Sequence, residues 1–285
     1  MVIEYLMRPF KFEHKPWKMF FLGILYSSIA IFLSLWIFKR YSSLVMVFLT
    51  VIASLPIMFR ALKMEEKADM QINEEGRLMK EHAHVITFLL YLFMGYLVAM
   101  AIWFIVLPAD TVQTLFSSQL ETIGIINSNI QGSFISSTSV FMQILLNNIK
   151  VLMFCIFFAF FYGAGALFIL TWNASVISAA IGSLFKNKIA DIAAANGAVN
   201  LFNYFHVFSF SILRYSIHGI PEIAAYFVGA MAGGIISVAM INHDIESDRF
   251  KNIMIDALDL TLLALFILVV AALMEVTITP LLFSA

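Results

Sequence analysis

Charge is scarce in this chain: only 12 % of its 285 residues are Asp, Glu, Lys or Arg, and the net charge is −1. No basic tract is present to hold a nucleic-acid backbone, so nucleic acid is not an expected partner. There is one cysteine, Cys155, which excludes an intrachain disulfide and reads as a small buried apolar side chain. The HExxH pattern of a helical zinc site is missing, and no soluble catalytic or nucleotide-binding stretch interrupts the chain. The N-terminal region lacks a small-residue cleavage site after a short apolar core, so its first apolar run reads as a retained span. Neither an enzyme nor a bound cofactor or metal is expected.

What the chain has is apolar sequence, 62 % of all residues. Runs of about 20 apolar residues recur, each long enough to cross a bilayer core of ~30 Å as a helix. In lipid only helices and closed barrels satisfy their own backbones. The expected fold is therefore an all-α polytopic helical membrane protein with about seven transmembrane helices, placed in the cell membrane with lipid as its solvent. Residues 1–17 are an interfacial segment of bases and aromatics. Spans are expected at about Lys18–Phe38, Leu44–Leu62 and Val85–Leu107, then at Ile149–Trp172, Asp191–Leu213 and Pro221–Ile241, with a seventh from about Leu260. Pro221 fits the first turn of its helix, where a missing amide hydrogen costs nothing. Asn173–Leu184 is too short to cross, and Asn196, Asn200 and Asn203 form a polar stripe expected to face other helices.

Two segments are not apolar. Lys63–His84 carries charge of both signs and reads as a solvated helical connector. Ala109–Leu146 is rich in Ser, Thr, Asn and Gln and holds no Lys or Arg. Both, residues 63–84 and 109–146, are candidate docking surfaces for protein partners. Seven spans would put thirteen Lys and Arg on the side of the N-terminus and four on the other. That asymmetry predicts the N-terminus inside and the C-terminus outside.

Ionisable groups at membrane depth are costly and so are informative. His218 and Glu222 share a helix face at i, i+4 spacing at the expected outer end of the sixth span. Glu275 lies roughly 24 Å along the seventh helix, and Asn147 and Asn148 open the fourth. These groups are expected to meet at one depth. They could be structural hydrogen-bond locks, a site for a proton, ion or small solute, or a His218/Glu222/Glu275 metal set. Ser216 fits a helix cap better than a nucleophile. Gly229-x-x-x-Gly233 permits close helix approach, within the chain or across a homo-oligomer face. The pairs His82/His84 and His243-Asp244 are poorly spaced for a metal.

The ordered landmarks resemble the stage II sporulation protein M family, also known as the DUF95 integral membrane proteins. They are Asn147-Asn148, Gly163 and Gly165, Asn173, the His-Gly-x-x-Glu of His218, Gly219 and Glu222, and Glu275-Val276-Thr277-Ile278-Thr279-Pro280. The resemblance covers roughly residues 82–285 and leaves 1–81 as an N-terminal module of interfacial segment, hairpin and connector. It implies a non-enzymatic membrane scaffold or assembly factor that self-associates and recruits partner proteins. In spore-forming bacteria those partners degrade the cell wall at the engulfing septum. It marks Asn147, Asn148, Asn173, His218, Gly219, Glu222, Glu275 and Pro280 as motif or binding residues. The alternative is a transport-related component using Asn147, His218, Glu222 and Glu275 as an outer-side polar site.

Overall fold

The structure, a computed structural model, describes residues 16–71, 75–131, 137–162, 166–242 and 248–283. Of these, 96 % are helical and none is in a strand. Helices run α1 (Trp17–Ile37), α2 (Ser42–Gln71), α3 (Glu75–Val106), α4 (Ala109–Leu115), α5 (Ser117–Gln131), α6 (Ser137–Tyr162), α7 (Ala166–Asn196), α8 (Leu201–Asn242) and α9 (Asp248–Leu273). A π turn, Met274–Ile278, then leads into α10 (Thr279–Phe283). Seven helical stretches are long and apolar enough to cross a membrane, as expected for an all-α polytopic protein. The segments 1–15, 163–165 and 243–247 lie outside the described residues, and with them Gly163, Gly165 and the His243-Asp244 pair.

The first three spans fall where the apolar runs place them. The next three do not. Residues 149–172 are not one helix: α6 ends at Tyr162 and α7 begins at Ala166. The fifth span is Ala166–Ala195, so the weak run 191–213 is not a span at all. It is cut at a left-handed Gly197, φ 70°. The asparagine stripe is thereby dispersed: Asn196 ends α7, and Asn200 precedes α8, where its Oδ1 accepts the Asn203 amide hydrogen at 2.9 Å. That is a helix cap, not a face directed at other helices. Lys186 and Lys188 consequently move to the end of the bundle opposite the 63–84 connector; Lys186 lies 5.3 Å from the Phe104 ring, near the far end of α3. The base count becomes eleven against six, a weaker asymmetry.

α8 is the axis of the bundle: its residues 225–235 are buried without a break. It packs against α9, α6 and α7, while α1 covers α3 and α2. Small residues set the closest approaches. A Cβ on Gly95 would strike the Phe20 carbonyl oxygen and stand 2.9 Å from the Gly23 Cα, so α1 and α3 touch backbone to backbone. Gly229 and Gly233 face Leu152, Ile156 and Ala159 of α6. The G-x-x-x-G pattern therefore serves packing within the chain.

Side-chain hydrogen bonds tie the same helices. Tyr96 donates to Ser54, the Trp103 indole donates to Ser28 at 3.0 Å, and Ser178 donates to the Leu97 carbonyl at 2.9 Å. Part of the polar stretch 109–146 is folded into the bundle. Val112, Leu115 and Phe116 are buried, and Gln119 donates to the Ser43 carbonyl and to Ser175 at 3.2 and 3.1 Å.

Overpacking at the glycines should be costly. Gly95→Ala and Gly233→Ala are each expected to lose about 1–3 kcal/mol, because a backbone carbonyl occupies the space. Gly219→Ala, whose methyl would meet nothing within 4 Å, should be neutral or gain roughly 0.5–1 kcal/mol from helix propensity. Thermal denaturation in detergent ranks the three, and equal melting temperatures would refute the packing account.

Candidate functional site

The polar groups of α8 form one stripe. Ser211, Tyr215, His218 and Glu222 follow at steps of four, three and four residues, which keeps them on one face. Arg214 and Tyr226 flank it, again at i, i+4 from His218 and Glu222. The helix does not begin here: it starts at Leu201, so His218 and Glu222 are interior residues rather than span-end residues. Pro221 lies inside the helix. It cannot donate to the Ile217 carbonyl and breaks the ladder beside both side chains. Ser216 is likewise mid-helix, on the wall of a crevice of about 10 Å³, and is not a cap.

The facing element is the π turn. Pro280 has no amide hydrogen and would crowd the Val276 carbonyl in a regular helix. The chain widens instead, and the Thr279 amide donates back to the Met274 carbonyl, five residues away. The Thr279 hydroxyl donates to the same carbonyl at 3.3 Å. Its single hydrogen is then committed, so the 3.1 Å hydrogen bond between Thr279 Oγ1 and His218 Nδ1 is donated by the imidazole. This bond fixes the register of two antiparallel segments. One turn onward along α8 is Glu222, and one turn back from Thr279 is Glu275.

Tyr226 donates to Glu222 Oε1 at 2.7 Å. Arg214 stands one turn before His218 on the same face. α6 closes a third side, touching both α8 and the π turn. The match of Leu152 to Gly229 and of Ile156 to Gly233 runs α6 parallel to α8. It sets Asn148, one turn before Leu152, level with Ala225 and Tyr226.

Not every expected residue takes part. Asn148 is 5 % exposed, whereas its neighbour Asn147 is exposed on the bundle surface. Both sit a third of the way along α6 and do not open a span. Asn173 donates to the Ile169 carbonyl of its own helix at 3.0 Å. Gly219 is buried on the α3 side of α8, and Pro280 acts through the backbone of the π turn. Among the described residues no three His, Cys, Asp or Glu are gathered to hold a metal ion, so the His218/Glu222/Glu275 ligand set does not form. Tyr226, Arg214 and Ser211 were not expected, and Thr279 stood in the landmark 275–280 without a role. The signal for Arg214 and Tyr226 was the four-residue repeat 214, 218, 222, 226, hidden by starting the helix at Pro221.

A family model described as Stage II sporulation protein M matches residues 84–280. The chain belongs to the stage II sporulation protein M family. No curated protein and no solved structure matches it. The matched residues span α3 to Pro280 and so enclose the whole site, including both partners of the His218–Thr279 bond. In this family member the landmarks that stand far apart in sequence, residues 218–222 and 275–280, are neighbours in space.

The His218–Thr279 bond should be measurable as a coupling. In a double-mutant cycle of His218→Ala and Thr279→Val, a coupling energy of about 0.6 kcal/mol, and at most roughly 1.7, is expected for a hydrogen bond between membrane helices. Additive single and double substitutions would show that the pair does not hold α8 to the π turn.

Proposed function

We propose that the protein is a non-enzymatic membrane scaffold or assembly factor of the stage II sporulation protein M type, acting at the cell membrane. One observation carries this reading. α2 runs on to Gln71 and α3 begins at Glu75, so the charged sequence from Lys63 to Gln71 and from Glu75 to His84 is helical and continuous with the two spans. At the helical rise these nine and ten residues reach about 13 and 15 Å beyond the apolar runs. Residues 63–84 carry charge of both signs. A charged helical stalk outside the bilayer is a surface for a protein partner, and family membership favours such a role. The surface of 109–146 is the lesser candidate, since Val112, Leu115, Phe116 and Gln119 are turned into the bundle. Self-association belongs to the same reading, and it would use a face other than Gly229–Gly233. The remaining base asymmetry favours a cytoplasmic stalk.

A second reading, a transport-related component, is favoured by Glu222 and Glu275, two carboxylates at membrane depth on facing segments whose register the His218–Thr279 bond sets. The two readings respond differently to substitution. Exchanging residues 63–71 and 75–81 for uncharged helical sequence of equal length should leave membrane insertion and melting temperature unchanged. It should reduce protein adducts from photo-crosslinkers on the stalk at least tenfold, while adducts at lipid-facing Met153 and Phe157 stay the same. Unchanged stalk adducts would defeat the scaffold reading.

A further inference from the structure

We propose that water is bound in a buried polar node between α2, α5 and α7, held by Gln119, Ser42 and Thr171. The node lies apart from the polar face of α8 and is independent of the scaffold and transport readings. Hydrogen bonds set its frame. Gln119 of α5 donates one amide hydrogen to the Ser43 carbonyl of α2 at 3.2 Å and the other to the Ser175 hydroxyl of α7 at 3.1 Å. The Ser175 hydroxyl donates its own hydrogen to the Trp172 carbonyl at 2.7 Å. Ser43 and Ser118 share a hydroxyl–hydroxyl bond at 2.9 Å, which ties the start of α5 to the start of α2.

These bonds fix which way the Gln119 carboxamide points. Turned over, its oxygen would face a carbonyl oxygen and a hydroxyl whose hydrogen is committed, and neither could donate to it. Gln119 Oε1 therefore points away from both. It is fully buried and has no hydrogen-bond partner among the described residues. Two more oxygens at the node share that condition. Ser42, next to Ser43, and Thr171, one turn before Ser175 on the same face of α7, are fully buried with unpartnered hydroxyls. Thr50 and Ser178 donate to a carbonyl one turn back, whereas the Thr171 hydroxyl does not. Three residues before Thr171, Phe168 packs on Phe48 of α2 with ring centroids 5.0 Å apart, so this stretch of α7 lies against α2.

Buried polar atoms are rarely left without partners, and the chemistry of this set selects the occupant. Gln119 Oε1 needs a donor, while the Ser42 and Thr171 hydroxyls each need an acceptor for a hydrogen. Water supplies both, and about two to four polar partners are what a buried water molecule requires. A cation would satisfy the oxygens but leave both hydroxyl hydrogens unmet. One amide and two hydroxyls also bring no charge to offset it, so burying it there would be costly. Bound water adds to the two Gln119 bonds in holding α5, part of the polar outer stretch, against α2 and α7.

The test uses the full chain, with isotope-labelled glutamine, in phosphatidylcholine bilayers. Solid-state NMR reads magnetisation transfer from water to the Gln119 side-chain amide, whose signal Gln119→Leu identifies. The expected result is direct transfer to this buried amide, lost in Thr171→Val, while transfer to the exposed Gln113 is unchanged. Thermal denaturation in detergent supplies a second measurement. Thr171→Val keeps the shape of the side chain and removes the hydroxyl. With water bound it should lower the melting temperature by about 2–4 °C, the loss of one hydrogen bond. The drop should not add to that of Ser42→Ala, because both act through the same water. Removing an orphaned hydroxyl would instead raise the melting temperature. Such a rise, additive drops, or transfer that is absent or survives Thr171→Val would each overturn the proposal.

Discussion

Hydrocarbon offers no hydrogen bonds, and the architecture follows from that constraint. Backbone groups are satisfied within helices, so the design problem passes to side chains. Many Ser and Thr residues solve it locally by bonding one turn back, as Ser27 does to Gly23 and Thr50 to Met46. These bonds join nothing together. A smaller set crosses between helices, and it marks where the bundle is specified: Trp103 to Ser28, Tyr96 to Ser54, Ser178 to Leu97, Gln119 to Ser43 and Ser175, and His218 to Thr279. Dispersion supplies most of the adhesion, which is why glycines occur where backbones touch.

α8 departs from this economy. Its residues 225–235 are buried without a break, and the same helix carries the polar face of Ser211, Arg214, Tyr215, His218, Glu222 and Tyr226. Its regular hydrogen bonding is broken at Pro221, opposite a π turn imposed by Pro280. Irregular backbone at membrane depth survives where protein shields it, and here α6 and α9 provide the cover. A bundle built only for stability would have placed Leu and Ala on this face. The coincidence of two ladder breaks and two carboxylates is the strongest sign that the region does more than hold helices together.

Much of this was legible before any coordinates, and the failures have a common cause. The apolar runs of α1, α2 and α3 are bounded by charge or proline at lengths near the bilayer thickness, so runs and spans agree even though α2 and α3 continue as charged helix. Between residues 137 and 242 polar residues lie inside helices and helix ends lie inside apolar sequence, so runs and helices part company. Lys186, Lys188 and Asp191 interrupt the apolar run but not α7, while one apolar run holds the end of α6 at Tyr162 and the start of α7 at Ala166. Asn196, Asn200 and Asn203 have helical spacing across a chain break at Gly197. Glu222 and Glu275 were visible as carboxylates in apolar sequence. Their pairing was not, because it depends on the register set by Thr279 and on a π turn that composition does not announce.

The scaffold reading and the polar face of α8 need not be rivals, because α3 reaches both the stalk and α8. One of its ends belongs to the charged stalk, and its middle, Leu90 to Leu97, lies against Tyr215, Gly219 and Ile223 of α8. The Gly23–Gly95 contact clamps α3 to α1, so a displacement at the stalk would move the two helices as a unit rather than bend one. On the α8 side Gly219 leaves room, with nothing within 4 Å of where its Cβ would be. Tight packing on one face and slack on the other is what a sliding contact requires. A partner on the stalk could bias the carboxyl pair only if it prefers one position of α3 against α8. Filling the slack with Gly219→Ala would then alter the coupling between stalk and site while leaving each intact, which distinguishes one device from two unrelated features of the same bundle.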